Sequence, residues 1–340
     1  MPRAHASLSA PIRHCWLRRM TALAWLMLGA VLGGSLNAAP ADMSSAALRS
    51  NSGARVMVVY PTALSSHAQA VSTLSGIIAP QMDGLILDPW DVDAYKSGLA
   101  AGTLPPAQLE VAVGSQACAQ IASVARKGLA LCALVPRASF DSLKRSGKAK
   151  RSLSALYLDH PVRRQLALLR LALPDVRNVG VLLGPESAAQ STSLRDSARS
   201  QGFILHEVLV RDEEGLYPAL RSVLEDSQVL LAMADPMIYH SASLQNILLT
   251  AWRARVPLLG FSPSYVRAGA LLGLYTTPQQ AGRQTATLVM AALRGEGLPA
   301  APREPDDFDV DVNDAVARAL NISLDGPSLR RALRAQENLP

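Results

Sequence analysis

Short apolar runs alternate along the chain with segments of helical periodicity, and this pattern predicts β-strands joined by α-helices. The predicted strands cover residues 55–60, 85–87, 109–113, 129–135, 179–183, 204–210, 229–233 and 256–261, and alternation of apolar and polar residues predicts an edge strand at 308–313. Regular alternation of strand and helix is typical of the α/β class with parallel sheets. The sequence therefore predicts an α/β protein.

The strands are too numerous, and the 340 residues too many, for one compact doubly wound domain. A basic segment, residues 139–154, interrupts the alternation. We therefore predict two lobes and place the first passage between them just beyond this segment.

The amino terminus has the three parts of a secretory signal. Arg13, Arg18 and Arg19 precede an apolar run over residues 20–36, and small residues follow at 38–41. We predict a signal peptide over residues 1–39, a linker over 40–53 and location in the periplasm. The run is short for a spanning helix, which disfavours the alternative of an uncleaved anchor. Cys15 precedes the run, which argues against a lipidated amino terminus.

The charge of the chain gives little support for a nucleic-acid partner. The formal net charge is +6, but the first 39 residues hold four arginines and no acid, so 29 basic and 27 acidic residues remain. Aromatic residues make up 4% of the chain, which leaves little for base stacking. We predict no nucleic-acid partner.

Motifs for catalysis and for cofactors are missing from the sequence. It has no G-x-S-x-G elbow, no H-E-x-x-H, no phosphate-binding loop and no metal-spaced Cys/His cluster. Asp235 and His240 are five residues apart, which is weak evidence for a metal, and an exposed histidine before a helix is the simpler interpretation. We predict neither an enzyme nor a cofactor.

Two cysteines follow the leader, Cys118 in the first turns of a helix and Cys132 in the next strand. An oxidising compartment permits a disulfide between them. We expect two buried thiols instead, because the Cα atoms of a helix and a strand readily lie beyond the limit of about 7 Å for a bridge.

The segment 234–284 carries the most specific pattern of the chain. An apolar strand ends in Asp235-Pro236, a helix follows, and the strand 256–261 leads into Phe261-Ser262 and a Val-x-Ala-Gly-Ala-Leu phrase at 266–271. In this order the segment resembles the ABC transporter substrate-binding protein family of the type 1 periplasmic-binding fold, with relatives that bind tryptophan and other aromatic amino acids. The resemblance covers about 157–333. A Gly-Gly-Asn-Thr-Gly signature that many members carry at the first crossing is missing, so the identity of a ligand does not transfer.

The resemblance implies two doubly wound lobes joined by a three-segment hinge. On that basis we assign residues 54–155 and 277–297 to the first lobe, and 156–276 and 300–335 to the second. Polar loops follow the strands of both lobes, and parallel sheets bind ligands at the carboxyl ends of their strands. These loops predict an interlobe cleft.

Eight residues of these loops are the candidate ligand-binding residues: Tyr60, Ser115, Gln116, Glu186, Ser187, Asp235, Ser262 and Arg267. Capping and turn chemistry is the alternative for each of them. Asp235 can hold a ligand amino group or begin the turn that Pro236 completes, and Arg267 can pair with a ligand carboxylate or join the lobes. Tyr60, together with Phe261 and Tyr265, can stack on a planar ligand, although core packing is the simpler role of Phe261.

The resemblance implies a solute-binding protein that closes on a small organic ligand and delivers it to an ABC permease. The aromatic candidate residues are compatible with an amino acid-like ligand. A module that reports ligand occupancy to a membrane sensor is the alternative. A periplasmic hydrolase is disfavoured, because no catalytic triad or metal motif can be assembled from the sequence.

Overall fold

The computed structural model describes residues 53–338. Five parallel strands form the first sheet, in the spatial order β2-β1-β3-β4-β5. They are β1 (Arg55–Tyr60), β2 (Ile86–Asp91), β3 (Leu109–Val113), β4 (Leu129–Val135) and β5 (Ser154–Tyr157). β1, β3 and β4 are rich in Val, Leu and Ala and are buried along almost their whole length, as strands covered by helices on both faces must be.

Five helices cover this sheet. They are α1 (Ser65–Ile78), α2 (Val92–Ala101), α3 (Ser115–Ala122), α4 (Arg137–Arg145) and, from much later in the sequence, α10 (Pro278–Leu293). α10 returns to this sheet and packs on α1, with Ala281 and Val289 in the same core as Val71 and Leu74. A Cβ at Gly282 would lie 2.5 Å from the carbonyl oxygen of Ala70, so the close approach of these two helices depends on glycine.

Six strands form the second sheet, in the order β11-β10-β9-β8-β6-β7. They are β6 (Asn178–Leu183), β7 (Ile204–Leu209), β8 (Val229–Leu231), β9 (Leu258–Gly260), β10 (Leu272–Tyr275) and β11 (Asp309–Val312). All pairs are parallel except β10 with β11, which is antiparallel at the edge.

Seven helices cover the second sheet: α5 (Val162–Ala172), α6 (Ser191–Ser200), α7 (Leu216–Glu225), α8 (Ser241–Arg253), α9 (Pro263–Ala268), α11 (Asp314–Ala319) and α12 (Gly326–Gln336). The apolar residues of one face of the sheet pack with α5, α6 and α12, and those of the other face pack with α7 and α8. Below, "first lobe" denotes residues 54–157 with 278–297, and "second lobe" denotes 158–277 with 298–338.

Three connections join the lobes: the first is residues 158–161, the second 276–277 and the third 294–308. Hydrogen bonds join these connections to one another. The Thr276 hydroxyl in the second connection donates to the carbonyl of Asp307 in the third at 2.9 Å, and lies 3.4 Å from Nε2 of His160 in the first. The third connection also pairs with the edge of the first sheet, where Tyr157 N–H donates to the Arg303 carbonyl. The three segments thus form one hydrogen-bonded hinge.

The predicted fold class, α/β with two doubly wound lobes, is confirmed. β8 and β9 are shorter than predicted, and β5 and β10 are strands that the sequence pattern does not predict. The predicted leader, residues 1–39, lies outside the described residues. None of the helices within residues 53–338 is long and apolar enough to cross a bilayer.

The expectation of two free thiols is wrong. Cys118 and Cys132 form a disulfide, with their Cα atoms 5.3 Å apart. The first turn of α3 packs directly on β4, and this brings the helical cysteine within bridging distance of the strand cysteine. Periodicity along the sequence assigns each residue to its element but does not give the separation between the two elements.

Candidate functional site

The candidate site lies at the carboxyl edges of the two sheets, where the polar loops of each lobe begin. In the first lobe, Tyr60 is the last residue of β1 and is half-buried against the core. Ser115 and Gln116 open α3 after β3, and both are exposed. The first backbone N–H groups of an α-helix have no partner within the helix, so this end of α3 offers donors and two polar side chains to the cleft.

A histidine from another helix shapes this loop. Gly114 has φ +92°, and a Cβ there would lie 2.4 Å from Nε2 of His67 in α1. His67 is half-buried, and burial lowers its pKa below the ordinary value of 6.5, so its ring is neutral at pH 7. His67 is absent from the predicted set because the sequence places it within a helix, and only packing brings it under the Gly114 turn.

An aspartate closes the neighbouring loop of the first lobe. Asp91 ends β2, and its carboxylate accepts hydrogen bonds from the backbone and hydroxyl of Thr62, at 3.1 and 2.7 Å. It also accepts from the N–H of Asp93 and caps α2. These hydrogen bonds lower its pKa, so the ionised form is favoured. The loop after β1 is therefore fixed by a side chain from the loop after β2.

In the second lobe the Asp235 carboxylate lies at the centre of the loops, with 2% of the residue exposed. Its Oδ2 accepts from the N–H groups of Glu186 and Ser187 and from the Ser187 hydroxyl, at 3.1, 2.8 and 2.9 Å. Oδ1 accepts from the N–H of Met237 at 3.1 Å. This last bond is the Asx-type turn that the sequence offered as the alternative to a ligand anchor. The carboxylate is occupied by its own lobe.

Close backbone packing supports the same interpretation. A Cβ at Gly184 would lie 2.5 Å from the Asp235 carboxylate, so the chain after β6 passes directly beside this group. The Ser187 hydroxyl, which is fully buried, also accepts from the Gly184 N–H at 2.9 Å. Asp235 and Ser187 therefore hold the loop after β6 to the loop after β8, and they leave Glu186 at the surface of that loop.

Glu186 makes a contact between the lobes. Its Oε2 accepts a hydrogen bond from the hydroxyl of Ser139 in α4, at 3.0 Å. Ser139 follows β4 of the first sheet and Glu186 follows β6 of the second, so the carboxyl edges of the two sheets face each other. Ser139 belongs to the segment that interrupts the strand–helix alternation, and nothing in its sequence context identifies it as facing the cleft.

Two of the three aromatic candidates, Phe261 and Tyr265, pack with one another inside the second lobe. Tyr265 is buried and its ring centroid lies 4.6 Å from that of Phe261, while Tyr239 completes the cluster. Phe261 remains partly accessible. For these rings core packing, the simpler role, is what the structure favours.

Ser262 and Arg267 lie at the two ends of α9. The Ser262 hydroxyl is 2.7 Å from that of Ser264, at the start of the helix and at the edge of the cleft. Arg267 lies in the last turn, is exposed, and takes part in none of the ion pairs found among residues 53–338. The pairing of Arg267 with a ligand carboxylate stays a prediction.

Two acidic residues of the third connection bind arginines from both lobes. Glu304 pairs with Arg137 of α4 at 2.8 Å and with Arg163 of α5 at 2.9 Å. Asp307 pairs with Arg283 of α10 at 3.0 Å and with Arg334 of α12 at 2.9 Å. Burial raises the pKa of Asp307, but the two arginine hydrogen bonds outweigh it and hold that pKa below its usual value.

Two adjacent groups of the first connection are perturbed in opposite senses. Burial raises the pKa of Asp159 to about 6, against the hydrogen bond that its Oδ1 accepts from Arg137 N–H at 2.7 Å. Burial, with the positive charge of Arg164, lowers the pKa of His160 to about 3. Nδ1 of His160 lies 2.9 Å from an Arg164 nitrogen, as expected for a neutral ring that accepts a hydrogen bond.

The structure thus brings Glu186, Ser187 and Asp235 into one hydrogen-bonded group and places Tyr60, Ser115 and Gln116 at the facing edge. For the portion of the chain that the structure covers, no group of three or more His, Cys, Asp or Glu side chains is arranged to hold a metal ion. His240, half-buried, precedes α8, and its N–H donates to Ser243.

A family profile and several solved structures match the chain. The profile of the family described as ABC transporter substrate binding protein matches residues 134–335, more than half of the chain. This range includes the whole segment that carries the resemblance in the sequence, and it begins one residue before the end of β4. No curated protein matches the chain in sequence.

Three solved structures have the same fold. An ABC domain in complex with L-Trp from Streptococcus pneumonia is 15% identical, with a TM-score of 0.58, over 82% of this chain and 98% of that one. A conserved domain protein from Vibrio cholerae is 22% identical, with a TM-score of 0.57, over 82% and 98%. A ligand-free, open substrate binding protein with adhesive properties from Clostridium difficile is 16% identical, with a TM-score of 0.60, over 80% and 96%. At these identities the likeness establishes the two-lobed fold alone.

Proposed function

The chain belongs to the ABC transporter substrate-binding protein family, and from this premise we propose that it captures a small organic ligand between its lobes and delivers it to an ABC permease. The observation that carries the proposal is the hydrogen bond from Ser139 to Glu186. It brings the polar edge of one lobe against that of the other, where a ligand contacted by both stabilises the closed state.

The two edges offer different chemistry to such a ligand. The first lobe presents the N–H groups at the start of α3 with the Ser115 hydroxyl and the Gln116 amide, which suit a carboxylate or other anionic oxygen. The second lobe presents the Glu186 carboxylate, which suits an ammonium group. An amino acid carries both groups, and the L-Trp complex of the related fold supports testing amino acids first.

We further propose that the protein works in the periplasm after export by residues 1–39. The disulfide between Cys118 and Cys132 supports this location, because such bonds persist in oxidising compartments and are rare in the cytosol. Fractionation of cells, with the amino terminus of the secreted chain sequenced, tests it. A chain found whole in the cytosol contradicts it.

Native mass spectrometry of protein purified without refolding tests the binding role directly. We expect a discrete small-molecule adduct, or failing that a thermal shift with one member of a panel of amino acids, purines and monosaccharides. A bare protein that responds to none of them overturns the proposal of solute capture. The same result would also leave the alternative function, which reports ligand occupancy to a membrane sensor, without a ligand.

A matched pair of variants then locates the site. Ser115→Ala with Gln116→Ala should weaken binding of the identified ligand at least about tenfold, since each lost hydrogen bond is worth roughly 0.5–1.5 kcal/mol. Ser72→Ala with Gln81→Ala changes the same residue types at exposed positions of α1 and the turn after it. This control should leave the affinity unchanged. Equal affinities for both variants would exclude the start of α3 from the site.

A further inference from the structure

Lysine is confined to one stretch of the chain. All five lysines lie between residues 96 and 150, and the other 28 basic residues are arginines. The five are Lys96, Lys127, Lys144, Lys148 and Lys150. Every lysine therefore belongs to the first lobe.

The two lobes differ in net charge as a consequence. The first lobe holds 12 basic and 7 acidic residues, a formal charge of +5. The second lobe holds 16 basic and 19 acidic residues, a formal charge of −3. This charge asymmetry orients the protein in the electric field of a charged partner, with the first lobe toward a negative one.

The excess positive charge of the first lobe is concentrated in one surface, the basic patch, formed by Lys127, Lys144, Arg145, Lys148 and Lys150. All five residues are exposed, and none takes part in the ion pairs found among residues 53–338. Two basic residues next to the patch in the sequence form internal ion pairs instead. Arg126 and Arg151 both pair with the buried carboxylate of Glu110, at 2.6 and 2.5 Å.

The basic patch lies on the edge of the sheet opposite to the cleft. α4 begins at Arg137, at the carboxyl edge, and ends at Arg145, so its last turn is at the far edge. The N–H of Lys150 donates to the carbonyl of Ala122, the last residue of α3, at 2.8 Å. Lys127 lies in the connection that leads from α3 to β4. The patch therefore leaves both the cleft and the three hinge connections uncovered.

The side chains of the patch suit a phosphate-bearing surface better than a protein partner. Lysine is a compact charge on a flexible stem that binds phosphate without defined geometry. Protein interfaces depend on aromatic and apolar anchors, and the only aromatic residue between 122 and 153 is Phe140, which is fully buried. Clustered basic residues are attracted to anionic lipid headgroups.

We propose that the basic patch binds the surface of a bilayer that contains anionic phospholipids and holds the protein there with its cleft open to solvent. The binding does not depend on solute capture, although it would keep a loaded protein beside the membrane that houses a permease.

Vesicle flotation of the protein, purified as for mass spectrometry, tests this proposal. At low salt we expect binding to vesicles with about 30% phosphatidylglycerol in phosphatidylcholine, more than about a hundredfold above binding to phosphatidylcholine alone. About 0.5 M NaCl should abolish the difference, because the Debye length falls to a few ångströms. The variant Lys127→Gln, Lys148→Gln, Lys150→Gln should lower binding roughly a hundredfold.

The control removes the same charge from the second lobe. Arg199→Gln, Arg221→Gln, Arg253→Gln changes three exposed arginines that form none of the ion pairs found among residues 53–338. It should bind the anionic vesicles as the unchanged protein does. Equal losses of vesicle binding in both variants would assign the effect to the net charge of the protein and overturn the proposal that the basic patch binds the membrane.

Two other results would also overturn the proposal. One is no binding of the unchanged protein to anionic vesicles at low salt. The other is that both variants bind vesicles equally, while the lysine variant alone no longer binds membranes that contain a permease. That result would identify a protein partner. The lysine variant should keep its thermal melting point and its solute binding, so failure here is distinguishable from failure of solute capture.

Discussion

The two lobes build their cleft edges in different ways on the same topology. The second lobe uses a buried carboxylate, Asp235, that accepts four hydrogen bonds from its own loops. The first lobe uses no such charge beneath the Gly114 turn. There the backbone turns at positive φ over His67, and a disulfide fastens α3 to β4 three residues beyond Ser115.

The loops of the second lobe use most of their polar groups in internal hydrogen bonds. The loop at the start of α3 in the first lobe leaves its polar side chains exposed. In the second lobe the hydrogen-bonding capacity of Asp235 and Ser187 is directed inward, and Glu186 alone of the three reaches across to Ser139. In the first lobe Ser115 and Gln116 stay exposed because covalent and steric constraints hold their loop. We infer that the first lobe presents free polar groups to a ligand, whereas most polar groups of the second-lobe loops hold those loops together.

The largest expected effect is that of Asp235→Ala. It leaves three N–H groups and a buried hydroxyl without their acceptor, and we expect a loss of about 4 kcal/mol in the free energy of unfolding. Urea denaturation measures it, with Asp235→Asn as the control that keeps one acceptor oxygen and should lose less. Unchanged stability with lost ligand affinity would instead make Asp235 a ligand anchor and remove the contrast between the lobes.

In the first lobe the disulfide has the stabilising role that Asp235 has in the second. Cys118 and Cys132 are 14 residues apart, and closing a loop of this size stabilises a protein by about 3 kcal/mol in the chain-entropy account. Cys118→Ala with Cys132→Ala should lower the unfolding free energy by about that amount and loosen the start of α3. Hydrogen exchange of the Gly114 amide, which donates to the Ala133 carbonyl at 2.8 Å, reports the loosening. Unaltered exchange of this amide would show that the turn holds itself without the bridge.

Much of the contrast is within reach of sequence reasoning, and its limits have physical causes. Apolar runs such as 109–113 identify buried strands, and Asp235-Pro236 identifies a turn, because both signals are local. β5 escapes prediction because its four residues follow a basic segment with no periodicity of their own. The positions of His67 and Ser139, like the closeness of the two cysteines, depend on packing between elements distant in sequence.

The glycine turn of the first lobe gives a smaller expected effect. Gly114→Ala places a side chain at φ +92° and a Cβ 2.4 Å from His67, which should cost about 2 kcal/mol. Adding His67→Ala removes the clash but not the backbone strain, so it should restore roughly half of the loss. Thermal melting of the single and double variants measures both terms. Complete restoration would show that His67, and not the turn conformation, fixes the loop.

The smallest expected effect distinguishes Asp235 from a carboxylate of the first connection between the lobes. Asp159, which is half-buried there, accepts a hydrogen bond from Arg137 N–H and has its pKa raised by burial to about 6. Its ionised form is therefore disfavoured in the folded protein. Stability from this group is complete below about pH 4, where the folded and unfolded chains are both protonated. It is lost as the pH rises to about 6, because the unfolded chain ionises first.

Asp159→Asn keeps an acceptor oxygen and removes this titration. The variant should be about 1 kcal/mol more stable than the unchanged protein at about pH 7 and equal to it at about pH 4, since partial exposure of Asp159 reduces the full effect of the pKa shift. Urea denaturation at the two pH values measures the difference, with Asp235→Asn expected to destabilise at both. If Asp159→Asn also destabilises at both values, the carboxylate in the first connection is as well satisfied by its hydrogen bond as Asp235 is by its four.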